Sequence, residues 1–320
     1  MLIAFASLVG IEPVPLADLV KRVESSPLDA IEVNCGPTFP PILDASFGGH
    51  LDVDDVLRHG PGPIEEIFAG SGMTITALAP MLNLLTPDES LRSQRIEYFE
   101  KTLSAAAILG VPLVVTYGGS PYGMWFQGLP GVHQPHPSNH VEASIRAFSQ
   151  IFEPLATRAE DLGLKIALET APRGGGEGNV AHSPELWDRL FDAVASPAIG
   201  LSLDPSHLVW LGIPDVSDII RRYATRIHHF DGKDAEVLPA ALARQGILGN
   251  SWWRYRLPGL GQLDWAAQFS VLREIGYDYA LAIEQEDPIL TGLDGVLWSA
   301  GFLQGKLLPP RNGGTDGRLL

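Results

Sequence analysis

The chain alternates short apolar, strand-like runs with longer amphipathic, helix-like segments, and this alternation restricts the available folds more than any other feature of the sequence. The strand-like runs are Leu2 to Ser7, Ala30 to Asn34, Thr74 to Ala79, Pro112 to Tyr117, Lys165 to Glu169, Gly200 to Asp204, Arg226 to Phe230 and Tyr279 to Glu284. Between them lie helical patterns over Leu16 to Glu24, Val53 to Phe68, Ser90 to Leu109, Val141 to Leu162, Pro184 to Val194, Val216 to Tyr223, Asp264 to Ile275 and Leu293 to Leu303. Glycine follows three of these helices, in Leu109-Gly110, Leu162-Gly163 and Ile275-Gly276, where a left-handed residue ends the helix before the next strand. Ser183-Pro184 offers an N-cap followed by proline at the first helical position. Eight βα units in 320 residues predict a single-domain α/β fold, a closed (β/α)8 TIM barrel over residues 1–303, with an irregular tail over 304–320. A doubly wound open sheet is the alternative, weakened because no glycine-rich dinucleotide fingerprint follows the first strand.

Four of the runs end at a carboxylate: Glu169, Asp204, Asp231 and Glu284. A strand covered by helices on both faces has no solvated side on which to place a charge, so four such endings imply tips that converge on something positive. In a barrel these ends form the active-site face. Strand parity puts His229 and Asp231 on one face and His228 on the other, and Asp204 and His207 are close enough in sequence to serve one pocket. Any one of these acids alone is more readily explained as a helix cap or turn former; their joint placement favours a divalent cation. Glu32, at the end of strand two, reads more simply as a hydrogen-bonding residue of the barrel top.

The net charge of -16, with scattered Lys and Arg, argues against a nucleic-acid surface. Cys35, the only cysteine, can form no internal disulfide and reads as a small buried residue. The apolar start is interrupted by Glu12 and lacks a basic leader, so it is expected to be the first strand, with no membrane partner and a cytoplasmic location.

Two long segments carry aromatic residues. Gly118 to His140 holds Tyr122, Trp125, Phe126, His133, His136 and His140; Trp125 is a candidate substrate contact, and the spacing of the histidines does not suit a metal cluster. Ile247 to Gly261 holds Trp252, Trp253, Arg254, Tyr255 and Arg256, a composition that suits a sugar ring or the interface of a homo-oligomer.

The set Leu168-Glu169-Thr170, Leu203-Asp204-Pro205-Ser206-His207, Lys233-Asp234, Arg256-Leu257-Pro258-Gly259 and Ile283-Glu284 resembles the xylose isomerase-like barrels, which include sugar isomerases, epimerases and inosose dehydratases using one divalent metal. The resemblance implies metal ligation by Glu169, Asp204, Asp231 and Glu284, and proton exchange by Glu169 and Glu284. It implies substrate contacts from His207, His229, Lys233 and Arg256, and a small sugar or keto-sugar as substrate. The implied activity is isomerase or epimerase through an enediolate, with a lyase or dehydratase on a 3-keto-glycoside or inosose, and a non-catalytic sugar-binding barrel, as alternatives.

One position departs from the family pattern: Asp231 stands where the family has a histidine ligand. Three readings are open. Four oxygen ligands favour Mg²⁺ or Mn²⁺; alternatively His229 ligates with Asp231 behind it, or the metal has been lost.

Overall fold

The computed structural model describes residues 1–7, 10–36, 49–122, 137–174, 177–213, 215–247, 249 and 251–307. Its strands are β1 (Leu2–Ala6), β2 (Ala30–Asn34), β3 (Thr74–Ala79), β4 (Leu113–Tyr117), β5 (Lys165–Glu169), β6 (Arg173–Gly174), β7 (Glu177–Gly178), β8 (Ile199–Leu203), β9 (Ile227–Gly232), β10 (Asp234–Val237), β11 (Trp253–Arg256) and β12 (Ala280–Ile283). The helices are α1 (Leu16–Val23), α2 (Val53–His59), α3 (Gly62–Phe68), α4 (Glu89–Leu109), α5 (Pro137–Asp161), α6 (Pro184–Ala193), α7 (Pro205–Leu211), α8 (Val216–Arg222), α9 (Pro239–Gln245), α10 (Trp265–Glu274) and α11 (Gly292–Gln304). Eight strands close into a parallel barrel in the order β1-β12-β9-β8-β5-β4-β3-β2, as the alternation predicts.

Side-chain size sorts the two faces of the barrel wall. Ile3, Phe5, Ile31, Val33, Ile166, Leu168, Leu201, Leu203, Leu281 and Ile283 belong to the main core, which packs the wall against the helices. Ala4, Ala30, Ala280 and Ala282 form a separate small cluster, and Ala77, Ala79, Val115 and Ala167 another. Continuing the two-residue period of these small residues along β2, β5 and β12 reaches Glu32, Glu169 and Glu284, all buried. The same alternation that fills the barrel therefore sets the direction of its carboxylates.

Gly110, Gly163 and Gly276 have the left-handed backbone expected of them, with φ of 66°, 69° and 78°. The segment expected as one helix from Val53 to Phe68 is two, because Gly60-Pro61 interrupts it, with Gly60 at φ 72°. Ser183 precedes the proline at the start of α6, but its side chain makes no capping hydrogen bond.

After β9 the chain adds an antiparallel hairpin, β10 with β11, in the register Asp234↔Arg256 to Val237↔Trp253. Asp234 anchors it and is fully buried. Its carboxylate accepts from Ala235 N at 2.8 Å, Gly259 N at 3.2 Å, Leu263 N at 3.1 Å and Trp265 Nε1 at 2.9 Å. A Cβ on Gly261 would lie 2.1 Å from Asp234 Oδ1, so this close approach requires glycine. The Lys233-Asp234 pair thus divides its work: Asp234 fixes the loop that follows Arg256, while Lys233 enters the barrel mouth.

Candidate active site

Glu169 ends β5, Asp204 follows β8, Asp231 lies inside β9 and Glu284 follows β12. Glu169, Asp231 and Glu284 each offer an oxygen within 4.8 Å of those of the other two, and all three residues are buried. Glu169 Oε1 is buried without a hydrogen bond. Three carboxylates that could share one ion, one of them with an unsatisfied oxygen, fit a divalent cation with oxygen ligands. Asp204 groups with Glu169 and His207 at the same spacing.

Asp204 divides its two oxygens between a helix cap and the charged cluster of the barrel mouth. Oδ1 caps α7 by accepting from Ser206 N at 2.8 Å. Oδ2 lies 2.9 Å from His207 Nε2 and 2.8 Å from Lys233 Nζ. Burial pushes the Asp204 carboxyl up, but His207 and Lys233 outweigh it and hold the group below the ordinary carboxylate range.

Lys233 is almost fully enclosed, and its ammonium meets three carboxylates: Asp204, Glu284 and Glu286, the last at 2.9 Å. It also lies 4.6 Å from the Tyr255 ring centroid. Burial opposes its charge, and these carboxylates outweigh burial and raise its pKa well above the ordinary lysine value. Glu169 and Glu284, unlike Asp204, are raised well above the ordinary carboxylate range. Burial is the largest cause for both; Asp231 adds to it for Glu169, while Lys233 opposes it for Glu284.

Beyond this cluster, His229 is fully buried, with Nδ1 2.9 Å from Ser202 Oγ and 3.3 Å from Asp231 Oδ1. Ser202 Oγ donates to Asp231 Oδ2 at 2.9 Å. His229 Nε2 faces Glu32 Oε2 at 3.4 Å. His228, on the opposite face, reaches the Pro197 carbonyl at 3.2 Å, as strand parity predicts. Glu32 is therefore part of the polar interior, and burial pushes its carboxyl up to about 7.

An aromatic wall flanks His207. Trp210 and Trp253 stack at 4.3 Å with an interplanar angle of 6°, and Tyr255 stands edge-on to both Trp253 and His207. Tyr255 Oη is 3.1 Å from His207 Nδ1, which leaves Nε2 to face Asp204. Arg256 lies in β11, where its guanidinium binds Asp287 at 2.8 Å and Glu236 at 3.1 Å. Trp125, His133 and His136 lie outside the described residues. Cys35 is buried, as expected.

Sequence reasoning undervalued Glu32 and did not single out Ser202 or Glu286. Parity along β2 was the available signal for Glu32, since it shares a face with Ala30.

The chain resembles known proteins along most of its length. It is 28% identical to YfiH, an uncharacterized protein of Bacillus subtilis (strain 168), over 91% of this chain and 94% of that one. It is also 28% identical to an inosose dehydratase of Clostridium perfringens (strain 13 / Type A), over 47% of this chain and half of the dehydratase. Among solved structures, it shares its fold with the 3-keto-D-glucoside 4-epimerase YcjR from E. coli, with a TM-score of 0.69 and 15% identity over 95% of this chain and 99% of that one. A xylose isomerase domain protein from Planctomyces limnophilus gives a TM-score of 0.65 and 18% identity, covering 95% of each chain. The family pattern of the xylose isomerase-like TIM barrel matches residues 20–305, and this chain belongs to that family.

Proposed function

We propose that this protein is a divalent-cation-dependent isomerase or epimerase that moves a proton next to the carbonyl of a small sugar or keto-sugar. The observation that carries this reading is the grouping of Glu169, Asp231 and Glu284 oxygens within 4.8 Å of one another at the carboxyl ends of the barrel strands. Glu169, Asp231 and Glu284 would hold the cation together with Asp204, and an all-oxygen set favours Mn²⁺ or Mg²⁺. When bound, the cation supplies Lewis-acid polarisation of the substrate carbonyl and its neighbouring hydroxyl.

The chain's own residues supply the proton transfer. Burial raises the proton affinity of both Glu169 and Glu284, which suits carboxyls that take a proton from carbon and return it. One removes the proton beside the carbonyl to give an enediolate. Return to the same carbon from the other face epimerises it, and return to the neighbouring carbon, with the hydroxyl proton passing from one enediolate oxygen to the other, isomerises. His207, held by Tyr255 and Asp204, presents its ring beside these carboxyls and is placed to orient a substrate hydroxyl. The Trp210–Trp253 stack supplies an apolar surface for a sugar ring. Arg256 is assigned to hold the far end of the substrate, with Glu236 and Asp287 fixing its guanidinium.

A lyase reading is favoured by the inosose dehydratase relatives. There the same enediolate would expel a leaving group at the next carbon. Incubating the Mn²⁺-loaded protein with ketoses, 3-keto-glycosides and inososes in D₂O separates these outcomes. Deuterium at the carbon beside the carbonyl supports the proposal, whether the product is an epimer, an isomer or an elimination product. Absence of exchange and of turnover across all three classes would overturn it.

A further inference from the structure

We propose that the barrel holds a second cation site, deeper than the first, formed by Glu32 Oε2, His229 Nε2 and Asp231, with Asp231 shared between the two. These residues offer one ligand atom each, all within 4.8 Å of one another, and all three residues are buried. Glu32 Oε2 and His229 Nε2 are both enclosed and make no hydrogen bond, although they face each other at 3.4 Å. Two buried polar atoms directed at one another without a bond are costly unless something positive lies between them. Ligands at the usual Zn–N and Zn–O lengths on one tetrahedral ion stand about 3.3 Å apart, so the observed spacing is that of a ligand pair.

The other nitrogen of His229 strengthens the assignment. Ser202 donates its hydroxyl to Asp231, so the serine oxygen is left to accept from His229 Nδ1. With Nδ1 engaged by Ser202, Nε2 is the ring nitrogen left to face Glu32, and the ring's other nitrogen is fixed by a neighbour as in a metal-binding imidazole. A mixed nitrogen and oxygen set suits a borderline ion such as Zn²⁺, whereas the outer Glu169, Asp231 and Glu284 set suits a hard one. It also gives a reason for aspartate at position 231. A carboxylate has two oxygens for two ions, which an imidazole already bound through one nitrogen lacks. Charge points the same way, because Lys233 pairs with Asp204, Glu284 and Glu286, whereas Glu32 and Asp231 face His229.

The shared role of Asp231 rests on the proposed outer site; the Glu32–His229 pair does not. The test is metal content per chain after the full-length protein is stripped with chelator, loaded with Zn²⁺ and Mn²⁺ together, and desalted. Wild type is expected to retain two ions, and Glu32→Gln and Glu169→Gln one each. Should Glu32→Gln fail to fold, His229→Asn reads the same loss, and the wild-type count of two against one stands by itself. A single wild-type ion that survives Glu32→Gln and disappears in Glu169→Gln overturns the inner site and leaves the proposed function standing. A single ion with the reverse pattern supports the inner site and removes the outer one. No retained ion overturns both.

Discussion

Replacing Lys233 with methionine isolates the electrostatics of the barrel mouth, because methionine keeps much of the side-chain length and removes only the charge and its donors. Lys233 Nζ lies 2.8 Å from Asp204 and 2.9 Å from Glu286 and also pairs with Glu284, in an almost fully enclosed position. Breaking a buried ion pair by deleting one partner costs about 3–5 kcal/mol, since the remaining charge is left uncompensated. Part of that cost is relieved if Glu284 takes up a proton, which its raised pKa favours, so the lower end, about 3 kcal/mol, is expected. With an unfolding entropy of about 2.1 cal/mol/K per residue, the 320 residues give about 0.7 kcal/mol/K. The metal-free variant should therefore melt about 4 °C lower than wild type by calorimetry. Adding Mn²⁺ should narrow the gap, because a bound cation restores positive charge among the same carboxylates. A variant as stable as wild type without metal would refute the view that Lys233 is the internal counter-ion of this cluster.

Other perturbations test neighbouring parts of the account. Asp234→Ala removes the acceptor for four donors, two in buried and two in part-buried hydrogen bonds, and at about 1 kcal/mol per lost hydrogen bond chemical denaturation should show about 4 kcal/mol of lost stability. A loss below about 1 kcal/mol would mean that the hairpin loop is held by something else. Asp287 is depressed below its ordinary pKa: burial opposes this, but Arg256 and the backbone N–H groups of Ile289, Leu257 and Leu290 outweigh it. Its stabilisation is thus present above the unfolded-state value of about 3.9 and is lost as pH falls through the lower folded-state value. Melting temperatures of wild type and Asp287→Asn should differ at pH 7 and converge in strong acid; a constant gap would contradict the assignment. Glu284→Gln should keep its circular dichroism while losing about 10²–10⁴ of the turnover, and wild-type rates would remove Glu284 from proton transfer.

The barrel was legible because its signals are local: apolar runs of strand length, amphipathic periods between them, and glycines where helices stop. The carboxylate placement was legible for the same reason, since Glu169, Asp204 and Glu284 stand at strand ends. Elements that depend on distant partners were not. The β10–β11 hairpin pairs Val237 with Trp253 across a sixteen-residue separation, and nothing in either short segment requires the other. Asp231 was expected just beyond a strand ending at Phe230, but pairing with Ala282 carries β9 through it to Gly232. Helix α7 was missed because Pro205 to Leu211 follows directly on the strand and is too short to show a period. Glu32 illustrates the limit most clearly. Its sequence neighbourhood is that of any buried strand, and only barrel closure brings its carboxylate to His229.

The most direct test is the melting temperature of chelator-stripped protein with and without Mn²⁺, measured for wild type and for Glu169→Gln. At a free concentration of one hundred times Kd, binding stabilises by about 2.7 kcal/mol, so wild type should rise by about 4 °C while Glu169→Gln rises by much less. No shift in wild type with either Mn²⁺ or Mg²⁺ would contradict a cation held between Glu169, Asp231 and Glu284.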